Sequence, residues 1–194
     1  MMSRNLRYAE PMSKPRPPKR ISKTSLENAA LFYLERFSAS AEGLRRVLMR
    51  RVERAARVFG DDPADGAVLV DDLVRRYQAS GLLDDQRYAE GKSRSLLRRG
   101  CSPRAIRQDL ARRGLEASVI DEALQGLAAD LAEDAVTLDR AAAEAFVRRR
   151  RLGPHRPPDL RAQNRDRDMA ALGRAGFSWE IARAVLGGTG DGDE

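Results

Sequence analysis

The chain has 194 residues, of which 42% are apolar and 34% charged, and its formal net charge is +7. Apolar residues are numerous enough for a folded core, yet no run of them approaches the roughly 20 needed to cross a bilayer. Aromatic residues make up only 5%, while Ala, Leu and Arg are abundant. This balance favours helices over sheets, so we expect an all-α protein. Because no apolar run is long enough to cross a bilayer, we also expect it to be cytoplasmic.

The two ends of the chain differ from the rest in composition. Residues 1–23 contain four prolines and carry a net charge of +6, without apolar periodicity, so we expect a disordered basic arm. The arm could seek phosphate or an acidic partner, or only raise solubility, and the lack of interleaved aromatic residues favours solubility. Residues 188–194 predict an acidic, flexible tail.

Helical signals begin at residue 24. Thr24 and Glu27 have the spacing of a capping box, which predicts a first helix that ends near Phe37. Ser40 caps a second helix. The apolar face predicted for this helix consists of Leu44, Val47, Leu48, Ala55 and Val58.

Loop signals separate the next helices. Residues 60–67 contain a proline and two glycines and predict a loop, which is followed by a third helix that Gly81 ends. A fourth helix follows Asp84 and ends at Gly100. Ser102 and Pro103 are typical of the first residues of a fifth helix, with serine as the N-cap.

The chain resembles itself at a constant offset of 62 residues. The segment SPRAIRQDLARR at 102–113 aligns with SAEGLRRVLMRR at 40–51, and the same offset brings Gly114 onto Gly176. We therefore expect three tandem three-helix repeats, about nine helices in all, at 25–80, 84–128 and 130–187. Because each repeat has few large apolar residues, they should pack end to end into an elongated, curved array.

The third repeat departs most from this pattern. A long helix is expected at its start, with Leu131, Ala135, Leu138 and Phe146 on one side. The stretch 153–167, which contains three prolines and many charges, is expected to interrupt the repeat.

Residues suited to catalysis or metal binding are scarce. Cys101 and His155 are the only cysteine and histidine and fall in different repeats, which argues against a zinc site, a disulfide or a redox centre. We expect His155 to be exposed and Cys101 to be a tolerated loop residue. No nucleotide-binding glycine motif follows a strand, so we expect no catalysis and no cofactor.

What remains is an arginine-rich surface on the first two repeats. It is either a solvated helix face with local ion pairs or a basic surface that docks an acidic protein or phosphates, and the two interpretations stay open. The candidate partner-binding residues are Arg45, Arg46, Arg50, Arg57, Arg94, Arg98, Arg99, Arg104, Arg107, Arg112 and Arg113.

Several motifs together resemble the RecX family. They are GLLDDQRYA at 81–89, LRRG at 97–100, PRAIRQDLARRGL at 103–115 and IDEAL at 120–124. The resemblance extends over residues 26–187. It implies tandem three-helix repeats, as the internal offset does, and a non-enzymatic regulator of the RecA recombinase.

The resemblance also implies a mode of action. A RecX-like protein is expected to bind the RecA–DNA filament and to inhibit its strand exchange, ATPase, co-protease and growth activities, and so to restrain recombination and the SOS response. We expect a monomer with no membrane contact and with weak direct DNA contact. The alternatives are an autonomous DNA-binding helical protein, which should bind DNA with a steep salt dependence, and an enzyme with an unrecognised pocket.

Overall fold

The computed structural model describes residues 19–132 and 137–187. Most of the predicted basic arm and the whole acidic tail lie outside these residues. The described part is all-α, as predicted, with nine α-helices, one 3₁₀ turn and no strand. The helices are α1 (Lys23–Leu34), α2 (Ala41–Phe59), α3 (Pro63–Ala79), α4 (Asp85–Arg98), α5 (Pro103–Arg112), α6 (Ala117–Ala132), α7 (Leu138–Arg150), α8 (Pro158–Arg174) and α9 (Trp179–Val185), and the 3₁₀ turn at Gly153–His155 precedes α8.

The helices form three tandem units, α1–α3, α4–α6 and α7–α9. The predicted caps Ser40, Asp84 and Ser102 each accept a hydrogen bond from a backbone N–H of the first helical turn. Gly81 and Gly100 have the positive φ values expected just beyond helix ends. None of the described helices is long and apolar enough to span a bilayer.

The start of α1 corrects one prediction. The capping box is formed by Ser22 and Ser25, which exchange side-chain hydrogen bonds with each other's backbone N–H groups, and not by Thr24 and Glu27. Glu27 instead accepts a hydrogen bond from Arg76 of α3 at 2.6 Å. Like a glutamate carboxylate, the hydroxyl of Ser25 can accept a hydrogen bond from the N–H of the cap residue. The sequence therefore allowed two capping boxes, one from Ser22 and Ser25 and one from Thr24 and Glu27.

The predicted loop at 60–67 is also wrong, since only Gly60 to Asp62 separate α2 from α3. Asp62 caps α3 and Pro63 occupies its first turn, where proline loses no hydrogen bond. Gly66 lies inside the helix. A Cβ at Gly66 would come within 2.4 Å of Val52 Cγ1, so this glycine allows α3 to pack closely on α2.

The structure corrects the apolar face predicted for α2, in which Val52 takes the place of Val58. Leu44, Leu48 and Ala55 are buried as expected, but Val58 is 58% exposed, whereas Val52 is buried. Helical periodicity explains this result, because Val52 follows Leu48 by four residues and precedes Ala55 by three. Val58 lies in the last turn of α2.

The third unit begins differently from the prediction. The expected long helix is two helices, since α6 ends at Ala132 and α7 begins at Leu138 after its cap Thr137. The predicted repeat boundary at 128 therefore falls inside α6, while Ala135 lies outside the described residues. The stretch 153–167 is mostly helical, because Pro158 occupies the first turn of α8 and the other prolines precede it.

Two hydrophobic cores stabilise the three units. The first unit has its own core, centred on Leu26, Leu44, Leu48 and Leu73. The second and third units share one larger core, in which α7 packs against α4, α5 and α6. Neighbouring units are therefore not joined in the same way, and the first is the more independent of the three.

Hydrogen bonds from capping serines link consecutive units. Ser40 Oγ donates to the carbonyl oxygen of Arg113 at 2.8 Å, and Ser102 Oγ donates to that of Ala175, also at 2.8 Å. At the first of these joints, the backbone N–H of Ala41 also donates to Asp85 Oδ1 at 2.8 Å. The joint between the first and second units is thus largely polar, whereas the joint between the second and third units also includes their shared apolar core.

Candidate interaction surface

The eleven candidate arginines divide into two sets according to their ion pairs. Six form ion pairs within the chain, and for these the solvated-face interpretation holds at least in part. Five form no ion pair with any described residue. The paired set is Arg45, Arg46, Arg94, Arg107, Arg112 and Arg113, and the unpaired set is Arg50, Arg57, Arg98, Arg99 and Arg104.

Two paired arginines connect helices within a unit. Arg45 Nε donates to Asp71 Oδ1 at 2.7 Å and so ties α2 to α3, and this hydrogen bond raises the pKa of Arg45. Arg107 of α5 pairs in the same way with Asp121 of α6. Because a carboxylate already lies beside each guanidinium, Arg45 and Arg107 would attract an acidic partner less strongly than their formal charge suggests.

Arg113 is more constrained. It donates to Asp109 Oδ2 at 2.7 Å and to the Tyr88 hydroxyl at 3.1 Å. Burial, the largest single influence, would raise the pKa of Asp109, but the hydrogen bond from Arg113 and the positive charges of Arg113, Lys92 and Arg112 together lower it. The guanidinium therefore holds α5 in place against α4.

Arg46 belongs to the joint between the first and second units. It pairs with Glu42 at 2.8 Å, and its Nη1 donates to the carbonyl oxygen of Arg112 at 2.8 Å. Arg46 therefore differs from Arg50 and Arg57, which form no ion pair with a described residue. A substitution of Arg46 would disturb the joint as well as the surface.

The unpaired arginines lie on two exposed patches. Arg50 and Arg57 are exposed on α2, together with Arg51 and Arg54, which sequence reasoning did not select. Arg98 and Arg99 end α4, where cations suit the negative end of the helix, and Arg104 is exposed in the first turn of α5. Both patches can present guanidinium groups to an acidic or phosphate-bearing surface.

A basic pocket in the third unit was also missed. It has a volume of about 490 Å³ and includes Arg150, Arg156, Arg167 and Arg174 around Asp168. Asp168 is 1% exposed, and Arg156 holds it with two hydrogen bonds of 2.7 and 2.8 Å. Together with the N–H of Gly153, these bonds lower the pKa of Asp168. The run of four arginines at 148–151 was the available sequence signal.

The structure offers no metal-binding cluster among the residues that it describes. Within residues 19–132 and 137–187, no three His, Cys, Asp or Glu side chains are grouped so that they could hold a metal ion. His155 is exposed in the 3₁₀ turn, as predicted, and Cys101 is partly buried beside the Ser102 cap. The exposed arginines remain the candidate partner-binding residues.

Comparison with known proteins gives a consistent result. Residues 84–124 match the family model described as RecX, second three-helix domain. The chain is 40% identical to the regulatory protein RecX of Myxococcus xanthus over 173 residues, which cover 89% of each chain. It is 35% identical to the protein of that name from Halorhodospira halophila, over 82% of this chain and 87% of the relative.

Structural comparison supports the same fold. A crystal structure of regulatory protein RecX superposes with a TM-score of 0.55 at 21% identity, over 84% of this chain and 70% of the other. At that identity the match bears on the fold alone. It agrees with the tandem three-helix units described above.

Proposed function

The chain belongs to the RecX family of regulatory proteins, and from that membership we propose that it binds the RecA–DNA filament and inhibits RecA. The activities restrained would be RecA's strand exchange, ATP hydrolysis and co-protease action, and through them recombination and the SOS response. The chain would act by binding and not by catalysis. This agrees with relatives that are named as regulatory proteins.

The observation that carries the proposal is the set of five arginines without an ion pair to any described residue. They are spread over the first and second units, so a body of linked helical units presents them at separate places. A filament repeats the same surface at regular intervals. Two weak contacts from one molecule to successive subunits would reinforce each other through effective concentration.

Charge determines what such contacts can be. Exposed guanidinium groups favour carboxylates on the recombinase or phosphates of the bound DNA, and steering by charge raises the rate of association. Arg98, Arg99 and Arg104 are the strongest candidates, because all three are exposed in the second unit and form no ion pair with a described residue. Bridged subunits would exchange more slowly, which hinders filament growth.

The competing function is autonomous DNA binding, with any effect on RecA a consequence of coated DNA. The unpaired arginines of α2 favour it as well, so the two must be separated by experiment. Filaments can be formed on labelled single-stranded DNA with a slowly hydrolysed ATP analogue, and binding of this chain measured by co-sedimentation. Binding to filaments at concentrations that leave bare DNA free supports the proposal, whereas equal affinity for both would favour the competing function.

A further inference from the structure

The basic pocket of the third unit has a surplus of positive charge. Its lining includes four guanidinium groups and one carboxylate, a net charge of +3. Arg156 is paired with the buried Asp168 at 2.7 Å, and it is the only one of the four arginines that forms an ion pair with a described residue. The charges of Arg150, Arg167 and Arg174 therefore remain available to a ligand.

These three arginines reach the pocket from two helices. Arg150 belongs to the last turn of α7, where its guanidinium lies 4.9 Å from the centre of the Phe146 ring. Arg167 and Arg174 are exposed on α8 and are seven residues apart, so they lie on one face of that helix, two turns from each other. Guanidinium groups that surround one cavity can bind several carboxylates through charge-assisted hydrogen bonds.

The C-terminal end of the described residues lies beside this pocket. A Cβ on Gly153 would come within 3.1 Å of the Cα of Leu186, and the N–H of Gly153 donates to Asp168 in the pocket at 2.9 Å. Arg165 of α8 also donates to the carbonyl oxygen of Gly187 at 3.0 Å. Gly153 thus contacts both the pocket and the point from which residues 188–194 continue.

The acidic tail, residues 188–194, complements the pocket in charge and in reach. Its three carboxylates, on Asp191, Asp193 and Glu194, give it a charge of −3. Seven residues extend over about 23 Å at most, which is ample for a pocket that begins next to Gly153. Because the tail is tethered, its effective concentration at the pocket is on the order of millimolar, which favours it over a free acidic ligand.

We propose that the basic pocket of the third unit binds the acidic tail of the same chain, with the tail carboxylates on Arg150, Arg167 and Arg174. The bound tail covers these arginines, so another acidic ligand must displace it. High salt releases the tail, since the Debye length falls to about 3 Å at 1 M. This site is separate from the arginines of the first and second units and does not depend on action on RecA.

The first test measures the motion of the tail in the full chain. Nitrogen-15 relaxation should give order parameters above about 0.6 for the amides of Asp191 and Asp193 at low salt. In the Arg167→Gln/Arg174→Gln variant, and in the original chain at 1 M salt, these values should fall below about 0.6. Arg87→Gln/Arg183→Gln is the matched control, because it removes the same charge outside the pocket and should keep the tail ordered.

The second test uses a labelled peptide with the sequence of residues 188–194, GTGDGDE, whose binding is followed by fluorescence anisotropy. Neutralising the chain's own tail removes the tethered competitor, so the peptide should bind at least about tenfold more tightly. The tail variant is Asp191→Asn/Asp193→Asn/Glu194→Gln. The control changes the net charge equally at exposed carboxylates of the first two units and should show no such gain; it is Glu35→Gln/Glu53→Gln/Glu122→Gln.

Three results would overturn the inference. The first is a tail that is equally mobile in the original chain and in Arg167→Gln/Arg174→Gln. The second is an equal gain in peptide affinity in the tail and control variants, because net charge alone would then explain it. The third is peptide binding that needs Arg167 and Arg174 but does not change when the tail is neutralised, which would assign the pocket to an acidic segment of another molecule. Since RecA is absent throughout, these results leave the proposed inhibition of RecA to its own test.

Discussion

The hydroxyl of Ser40 donates a hydrogen bond to the carbonyl oxygen of Arg113, 73 residues further along the chain. The same serine also accepts a hydrogen bond from the N–H of Gly43 as the cap of α2. Ser102 repeats both roles, as the cap of α5 and as donor to Ala175 at the same separation of 73 residues. Each of these serine side chains thus caps its own helix and also donates a hydrogen bond to the following unit.

This double role predicts an unusual cost for a small substitution. Ser40→Ala and Ser102→Ala should each lower the free energy of unfolding by about 2 kcal/mol, because each removes both a cap and a buried hydrogen bond. Ser178→Ala is the control, since Ser178 caps α9 without an interunit bond and should cost about 1 kcal/mol. Urea denaturation measures all three, and equal losses would mean that the interunit bonds add nothing.

The joint between the second and third units depends on Gly100. Its φ is +78°, and a Cβ there would lie 2.5 Å from the Cα of Phe146 in α7. Gly100→Ala should therefore cost about 2 kcal/mol more than Gly81→Ala, which has a similar φ of +73° but open space around it. Thermal unfolding of both variants tests this, and similar melting temperatures would contradict it.

The ion pair of Asp168 with Arg156 predicts a pH dependence. The pKa of Asp168 is lowered in the folded chain, so this carboxylate contributes stability above its unfolded pKa of about 3.9 and loses it as the pH falls toward the folded value. Asp168→Asn should cost about 2 kcal/mol at pH 7, because a neutral amide cannot accept both of the charge-assisted hydrogen bonds that Arg156 donates to Asp168.

The pH dependence can be followed by urea denaturation between pH 7 and pH 2. The difference between the original chain and Asp168→Asn should be constant at neutral pH and should shrink below about pH 4. A difference that stays constant to pH 2 would show that Asp168 acts through shape and not through charge.

The exposed arginines of the second unit predict a loss of filament binding without a loss of stability. Arg98→Gln/Arg104→Gln should weaken binding to RecA filaments by about tenfold, since charge-assisted hydrogen bonds contribute roughly 1–2 kcal/mol in total when partly exposed. Arg87→Gln/Arg183→Gln, with the same change of net charge, should bind as the original chain does. Co-sedimentation with preformed filaments makes the comparison.

Much of the fold could be predicted from the sequence because its signals are local. Ser40 and Ser102 are caps whose hydroxyls act within one turn, and glycines such as Gly81 and Gly100 mark helix ends through their own backbone conformation. The offset of 62 residues then related one unit to the next. These features need no knowledge of what lies across the fold.

The errors arose where a distant contact decides the outcome. Gly66 was predicted to lie in a loop, yet it lies inside α3, and its contact with Val52 of α2 explains why a glycine stands within a helix there. Arg46 and Arg50 are residues of the same type on the same face of α2. Only the structure shows that Arg46 donates a hydrogen bond to the carbonyl oxygen of Arg112, whereas Arg50 lines a groove. Periodicity predicts which face a residue occupies but not the partner that meets it there.

The central claim is that this chain restrains RecA by acting on the filament. The most direct measurement is RecA-catalysed ATP hydrolysis on single-stranded DNA, with the chain added at a few copies per hundred RecA subunits. The account predicts inhibition at this low ratio and its loss in the Arg98→Gln/Arg104→Gln variant. Hydrolysis that falls only when the chain is abundant enough to coat the DNA, or that never falls, would contradict it.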